Sequence, residues 1–120
     1  MDQNISENFD GHNWKSIAES LFSFMSEKRG FFVNVKGTEG QDSFWDFLRQ
    51  YSFAFYSQVK MRNEHKSSLS EKETLTIRIH IEGGISILKM FIDGEVHLDY
   101  HELAELICST IPDSYQEYIN

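Results

Sequence analysis

The stretch from Thr74 to Ile111 constrains the fold most, because it reads as strand, turn, strand, turn, strand and capped helix. Leu75, Ile77, Ile79 and Ile81 alternate with Thr76, Arg78, His80 and Glu82, the period-2 pattern of a half-buried strand. Gly83-Gly84 follows, and paired glycines accept the positive φ angles of a two-residue hairpin. That turn sets Ile79 opposite Leu88, Ile77 opposite Met90 and Leu75 opposite Ile92, giving one apolar face.

A second turn falls at Asp93-Gly94. A two-residue loop there would pair Met90 with His97 and put polar groups on the core face. A three-residue loop with Gly94 in the left-handed position pairs Met90 with Val96 and Leu88 with Leu98, so it is preferred. The other face of this meander carries Arg78, His80, Ile87, Lys89, Phe91, Glu95, His97 and Asp99. Asp99 is placed to cap the following helix, with Glu102 as the reciprocal partner of a capping box. Leu103, Ala104, Leu106, Ile107 and Ile111 supply its apolar stripe, and Pro112 stops it. A short last turn is expected after Asp113.

Upstream, residues 1–12 are polar and read as a loose tail. Asn13 is a plausible cap for a helix with Trp14, Ile17, Ala18, Leu21, Phe24 and Met25 at helical spacing, closed by Gly30. Phe31 to Lys36 reads as a short strand, and Gly37 and Gly40 mark a loop that lacks the ending of a phosphate cradle. Ser43 and Asp46 suggest a capped helix carrying Phe44, Phe47, Leu48 and Tyr51. Phe53 to Met61 either continues that helix or forms a strand, and its aromatic and β-branched content favours the strand. Arg62 to Glu73, charged and rich in serine, reads as an exposed loop.

The expected fold is therefore α+β, a single domain over 1–120. An antiparallel sheet of four to five strands with a C-terminal β-meander packs its Leu75/Ile77/Ile79/Leu88/Met90/Val96/Leu98 face against N- and C-terminal helices. A chain of 120 residues is long enough to bury about two-thirds of its unfolded surface. No apolar run is long enough for a transmembrane helix, and the start lacks the pattern of a signal peptide. The single cysteine excludes an internal disulfide, which together with that start points to the cytoplasm.

Net charge is −8, and its placement is uneven. Residues 93–120 hold seven acids and no Lys or Arg, while the first 92 hold the other twelve acids against all eleven bases. Such an end does not suit direct contact with nucleic acid or an anionic membrane, and it suits a basic protein partner.

Motifs for chemistry are scarce. His97, Asp99 and His101 would share a face of an extended strand as a metal set, but Asp99 is better used as a cap and Lys89 falls beside His97. Cys108 lies beside an apolar stripe and reads as a buried, inert thiol. No nucleophile elbow, dinucleotide turn or zinc pair is present, so neither an enzyme nor a cofactor or metal is expected.

The leading functional expectation is a small inhibitor or immunity protein for a basic toxin, most plausibly a nuclease. Its binding surface would be Glu95, Asp99, Glu102, Glu105, Asp113, Tyr115 and Glu117. The alternative is an adaptor or chaperone-like module, monomeric or weakly homodimeric, using a face around Ile87 and Phe91. A small metal-dependent enzyme on His97 and Asp99 comes third.

Overall fold

A computed structural model of the chain describes residues 14–34 and 39–119. Among them there is no strand. Among the described residues six helices follow one another: α1 Trp14–Glu27, α2 Arg29–Asn34, α3 Glu39–Asn63, α4 Glu71–Ile92, α5 Tyr100–Ser109 and α6 Asp113–Gln116. The expected α+β fold is thus replaced by an all-helical one. Helix α1 packs on α5, α3 packs on α4, and short α2 touches both α1 and α4.

The largest correction is α4, which occupies the segment expected to be a β-hairpin. The apolar residues there fit two periods at once. Ile77, Ile81, Ile85, Leu88 and Ile92 recur at helical spacing, and all five are buried. The strand pattern required Leu75 and Ile79 to join Ile77 and Ile81 on one face. They do not: Leu75 is 55% and Ile79 76% exposed, against 0% and 4% for Ile77 and Ile81.

Three local features make the helix win. Ser70 accepts from the Glu73 N–H while the Glu73 carboxylate takes the Ser70 N–H, a complete capping box. Glu71 and Glu73 also place negative charge in the first turn, where the helix dipole favours it. At the other end Gly94 is left-handed (φ 82°), and the Glu95 N–H reaches the Met90 carbonyl at 2.9 Å. The Gly94 N–H meets the Phe91 carbonyl at 3.2 Å, which completes a Schellman closure. The left-handed glycine is where the hairpin reading wanted it, but it ends a helix.

Gly83 and Gly84 lie inside α4, where each costs about 1 kcal/mol relative to alanine. A Cβ on Gly84 would stand 3.8 Å from Ile107 Cγ2, so this residue sits at the approach of α5 to α4. A Cβ on Gly83 meets nothing within 4 Å. Gly83→Ala is therefore expected to stabilise the fold by about 0.5–1 kcal/mol, read as a raised denaturation midpoint with an unchanged slope. A loss of stability would show that this turn is not helical.

The ambiguous Phe53–Met61 segment is the second half of α3. Trp45, Leu48, Ser52, Phe55, Tyr56 and Val59 share its buried face, and the spacing is helical. The helix ends at a left-handed His65 (φ 54°), with the Lys66 N–H bonded to the Met61 carbonyl. The strand expected at 31–36 is replaced over 31–34 by α2, and its last two positions, with the Gly37 loop, lie outside the described residues. The expected tail and Asn13 cap also lie outside them. Gly30 does not end the first helical region, since α2 runs through it. The Asp99–Glu102 capping box is present as the sequence indicates, and α6 starts at Asp113.

Candidate functional site

Where α1, α3, α4 and α5 meet, they enclose a pocket of about 410 Å³. Helix α1 contributes Trp14, Ile17, Ala18, Leu21 and Phe22, and α5 contributes Ile107 and Cys108. The opposite wall is Phe44, Phe47, Leu48, Tyr51, Ser52 and Tyr56 of α3, with His80, Ile81, Gly84, Ile85 and Leu88 of α4. The helical spacings that bury the core thus also line the pocket. No Asp, Glu, Lys or Arg is among its described lining residues.

One wall is polar and internally wired. Trp14 Nε1, which can only donate, gives its hydrogen to the Tyr56 hydroxyl at 2.7 Å. The Thr110 hydroxyl spends its proton on the Ile107 carbonyl at 2.8 Å. Its oxygen therefore accepts from His80 Nδ1 at 3.1 Å, which places a proton on Nδ1. In the neutral imidazole His80 Nε2 is then an acceptor, 3.2 Å from the Tyr56 oxygen, and takes the Tyr56 proton. The chain runs from Trp14 through Tyr56, His80 and Thr110 to Ile107.

Electrostatics favour the neutral form. Burial lowers the His80 pKa, with a hydrogen bond to the Thr110 backbone opposing it. A protonated His80 would also point two N–H groups outward, leaving the Tyr56 proton without its acceptor. Burial pushes the Tyr56 hydroxyl far up, against the opposing Trp14 hydrogen bond, and raises Tyr51 as well. The Cys108 thiol is also raised, chiefly by burial. It is half-buried at the edge of the pocket, and the raised pKa leaves little of the reactive thiolate, as expected of an inert thiol. The pocket can hold a molecule by shape, ring contacts and a few neutral hydrogen bonds, and it offers no charged catalytic group.

The residues singled out from sequence lie elsewhere. Glu95, Asp99, Glu102, Glu105, Asp113 and Glu117 are exposed, and Asp99 and Glu102 are joined in the α5 cap. Tyr115 is not at a surface: it is 1% exposed and its hydroxyl donates to the Glu73 carbonyl at 2.8 Å. Phe91 is buried and Ile87 packs against the core, so the free apolar face proposed around them does not exist. His101 meets Glu19 of α1 at 3.0 Å, and no metal-competent group of three His, Cys, Asp or Glu occurs among the described residues. Sequence reasoning missed the Tyr56–His80 pair, because it put Tyr56 in a strand and His80 on an outer sheet face. The signal that finds it is helical: Ser52 and Tyr56 on one α3 face, and His80 beside the Ile77/Ile81 stripe.

No described helix is long and apolar enough to cross a membrane. Comparison with curated proteins and with solved structures finds no match. A family model described as the C-terminal region of transcriptional regulators, of the TetR type, matches residues 12–113. It overturns the inhibitor or immunity reading, and the helical fold removes the sheet on which that reading was drawn. The basic toxin falls with it, and so does the exclusion of nucleic acid as a partner. That exclusion rested on the charge of residues 93–120 alone, and a carboxylate-rich quarter says nothing of how the rest of a regulator meets DNA. An all-helical architecture and a match over most of its length agree: the chain belongs to the TetR-type family of transcriptional regulator C-terminal regions.

Proposed function

We propose that this chain is the ligand-sensing region of a transcriptional regulator, with the pocket among α1, α3, α4 and α5 as its effector site. The pocket itself carries the reading. Its volume of about 410 Å³ lies within the range of small-molecule sites, and mostly apolar walls with a few convergent polar groups are their usual make-up. A molecule seated there touches the α1–α5 pair on one side and the α3–α4 pair on the other. It can therefore bias how the two pairs sit, which is what an effector must do to shift a regulator between states. DNA enters as the partner of the regulator, and the place of action is the cytoplasm. The region binds and does no chemistry of its own, in keeping with wall groups held neutral and bonded to one another.

A thermal-shift screen of small molecules tests this. A ligand at a hundred times its Kd stabilises the fold by about 2.7 kcal/mol, or roughly 10 °C in a domain of this size. Ser52→Phe, which fills the pocket from the α3 wall, is expected to abolish that shift while still melting cooperatively. Hits that stabilise wild type and Ser52→Phe equally would mean that the pocket is not the site.

A further inference from the structure

The walls of the pocket say what kind of molecule it selects, an inference that rests on the sensing reading above. We infer that the effector is an uncharged, largely apolar molecule built on an aromatic ring system, with one neutral hydrogen-bonding group set against the Tyr56–His80 wall. Three observations converge on it.

The first is charge. No Asp, Glu, Lys or Arg is among the described lining residues, so a carboxylate or ammonium entering here would shed its water and meet no counter-charge. The second is the hydrogen bonding of the polar wall. His80 is engaged at Nδ1 by Thr110 and at Nε2 by Tyr56, and its burial disfavours the charged imidazolium, so it lends little charge to an anion. The Tyr56 oxygen accepts one hydrogen bond and gives one, which leaves a single lone pair for a ligand. The third is ring content. Trp14, Phe22, Phe44, Phe47, Tyr51 and Tyr56 reach the pocket from two sides, and ring–ring contact is stronger than its area alone predicts.

Isothermal titration of the full chain with four probes on one skeleton decides the matter: 2-naphthol, which is uncharged at neutral pH, 2-naphthoate, 2-naphthylmethylammonium and unsubstituted naphthalene. The expected result is that 2-naphthol binds at least tenfold tighter than either charged analogue. Tyr56→Phe should weaken it severalfold while leaving unsubstituted naphthalene unaffected, a difference that general loosening of the fold would not produce. Ser52→Phe should abolish binding of both. A charged probe that binds as tightly as 2-naphthol, with that binding lost in Ser52→Phe, overturns the ligand class and leaves the sensing pocket standing. Absence of binding by all four overturns the aromatic class, while the broad screen separately decides whether the pocket senses anything.

Discussion

Trp14→Ala is expected to destabilise the fold by about 4 kcal/mol, the range for emptying a large aromatic site in a core. The indole is buried, stacks on Phe55 with ring centroids 4.2 Å apart, and meets Tyr56 edge-on at 5.3 Å. Removing it also strips the Tyr56 oxygen of its donor and opens the α1 side of the pocket. Trp14→Phe keeps one ring but loses the N–H and part of the indole's volume, so it should cost about 2–3 kcal/mol, less than the alanine variant. Denaturant titration of both variants checks the order of the two losses. A Trp14→Ala loss under about 1 kcal/mol would mean that α1 does not seat this ring in the core.

Lys60→Ala is the second large effect, with an expected loss of about 3 kcal/mol. Lys60 is only 3% exposed, yet its ammonium is fully engaged. It donates to Glu64 Oε2 at 2.7 Å and to the Ser114 carbonyl at 2.9 Å, and it lies 4.9 Å from the centre of the Tyr115 ring. Tyr115 and Tyr118 complete the tie through their hydroxyls, to the Glu73 carbonyl and to Glu64. One lysine thus fastens the chain after Pro112 to the end of α3 and the start of α4. Removing a buried cation orphans its partners, which is why the cost exceeds that of an exposed ion pair. Lys60→Met keeps the apolar stem and should lose about half as much. Equal stability of wild type and Lys60→Ala would contradict this account of the C-terminal segment.

The same cluster sets an acid response. Glu64 is held down at about 2, first by Lys60 and then by Lys66 and Tyr118, and Glu73 at about 2, first by Lys66 and then by the Ser70 N–H. In the unfolded chain each returns to about 4.5. Both pKa values are lower in the folded state, so the stabilisation is complete above about pH 4.5 and drains away as pH falls toward 2. Melting temperature should drop steeply across that window, and less steeply in Lys60→Ala.

How much of this was legible in the sequence depends on the segment. The capped α5 was, because Asp99, Glu102 and Pro112 are local signals with one meaning. The apolar face of α1 was legible in part: Trp14, Ala18 and Met25 are buried at helical spacing, but Phe24, read into the same stripe, is exposed and Phe22 takes its place in the core. In α4 local signals conflicted: isoleucines at every second position and a Gly-Gly pair favour a hairpin, and only the spacing continued through Ile85, Leu88 and Ile92 favours a helix. Tertiary burial of the longer stripe decides, at the cost of leaving Leu75 and Ile79 in water. Charge misled in a different way. The acids of the last quarter are a solvated surface, and Tyr115, counted among them, serves as a core residue tied to Glu73. The pocket was hidden because it exists only where four helices converge, and no stretch of sequence carries more than one wall.

Methyl NMR of isoleucine-labelled protein tests the central claim most directly, with the small molecule that gives the largest melting shift in the screen. Ile17, Ile81, Ile85 and Ile107 lie on three different helices of the pocket wall, whereas Ile79 and Ile119 lie away from it. The account predicts that the first four methyls shift together on titration and the other two stay in place. Shifts at Ile79 or Ile119 with the four pocket methyls unmoved would contradict it.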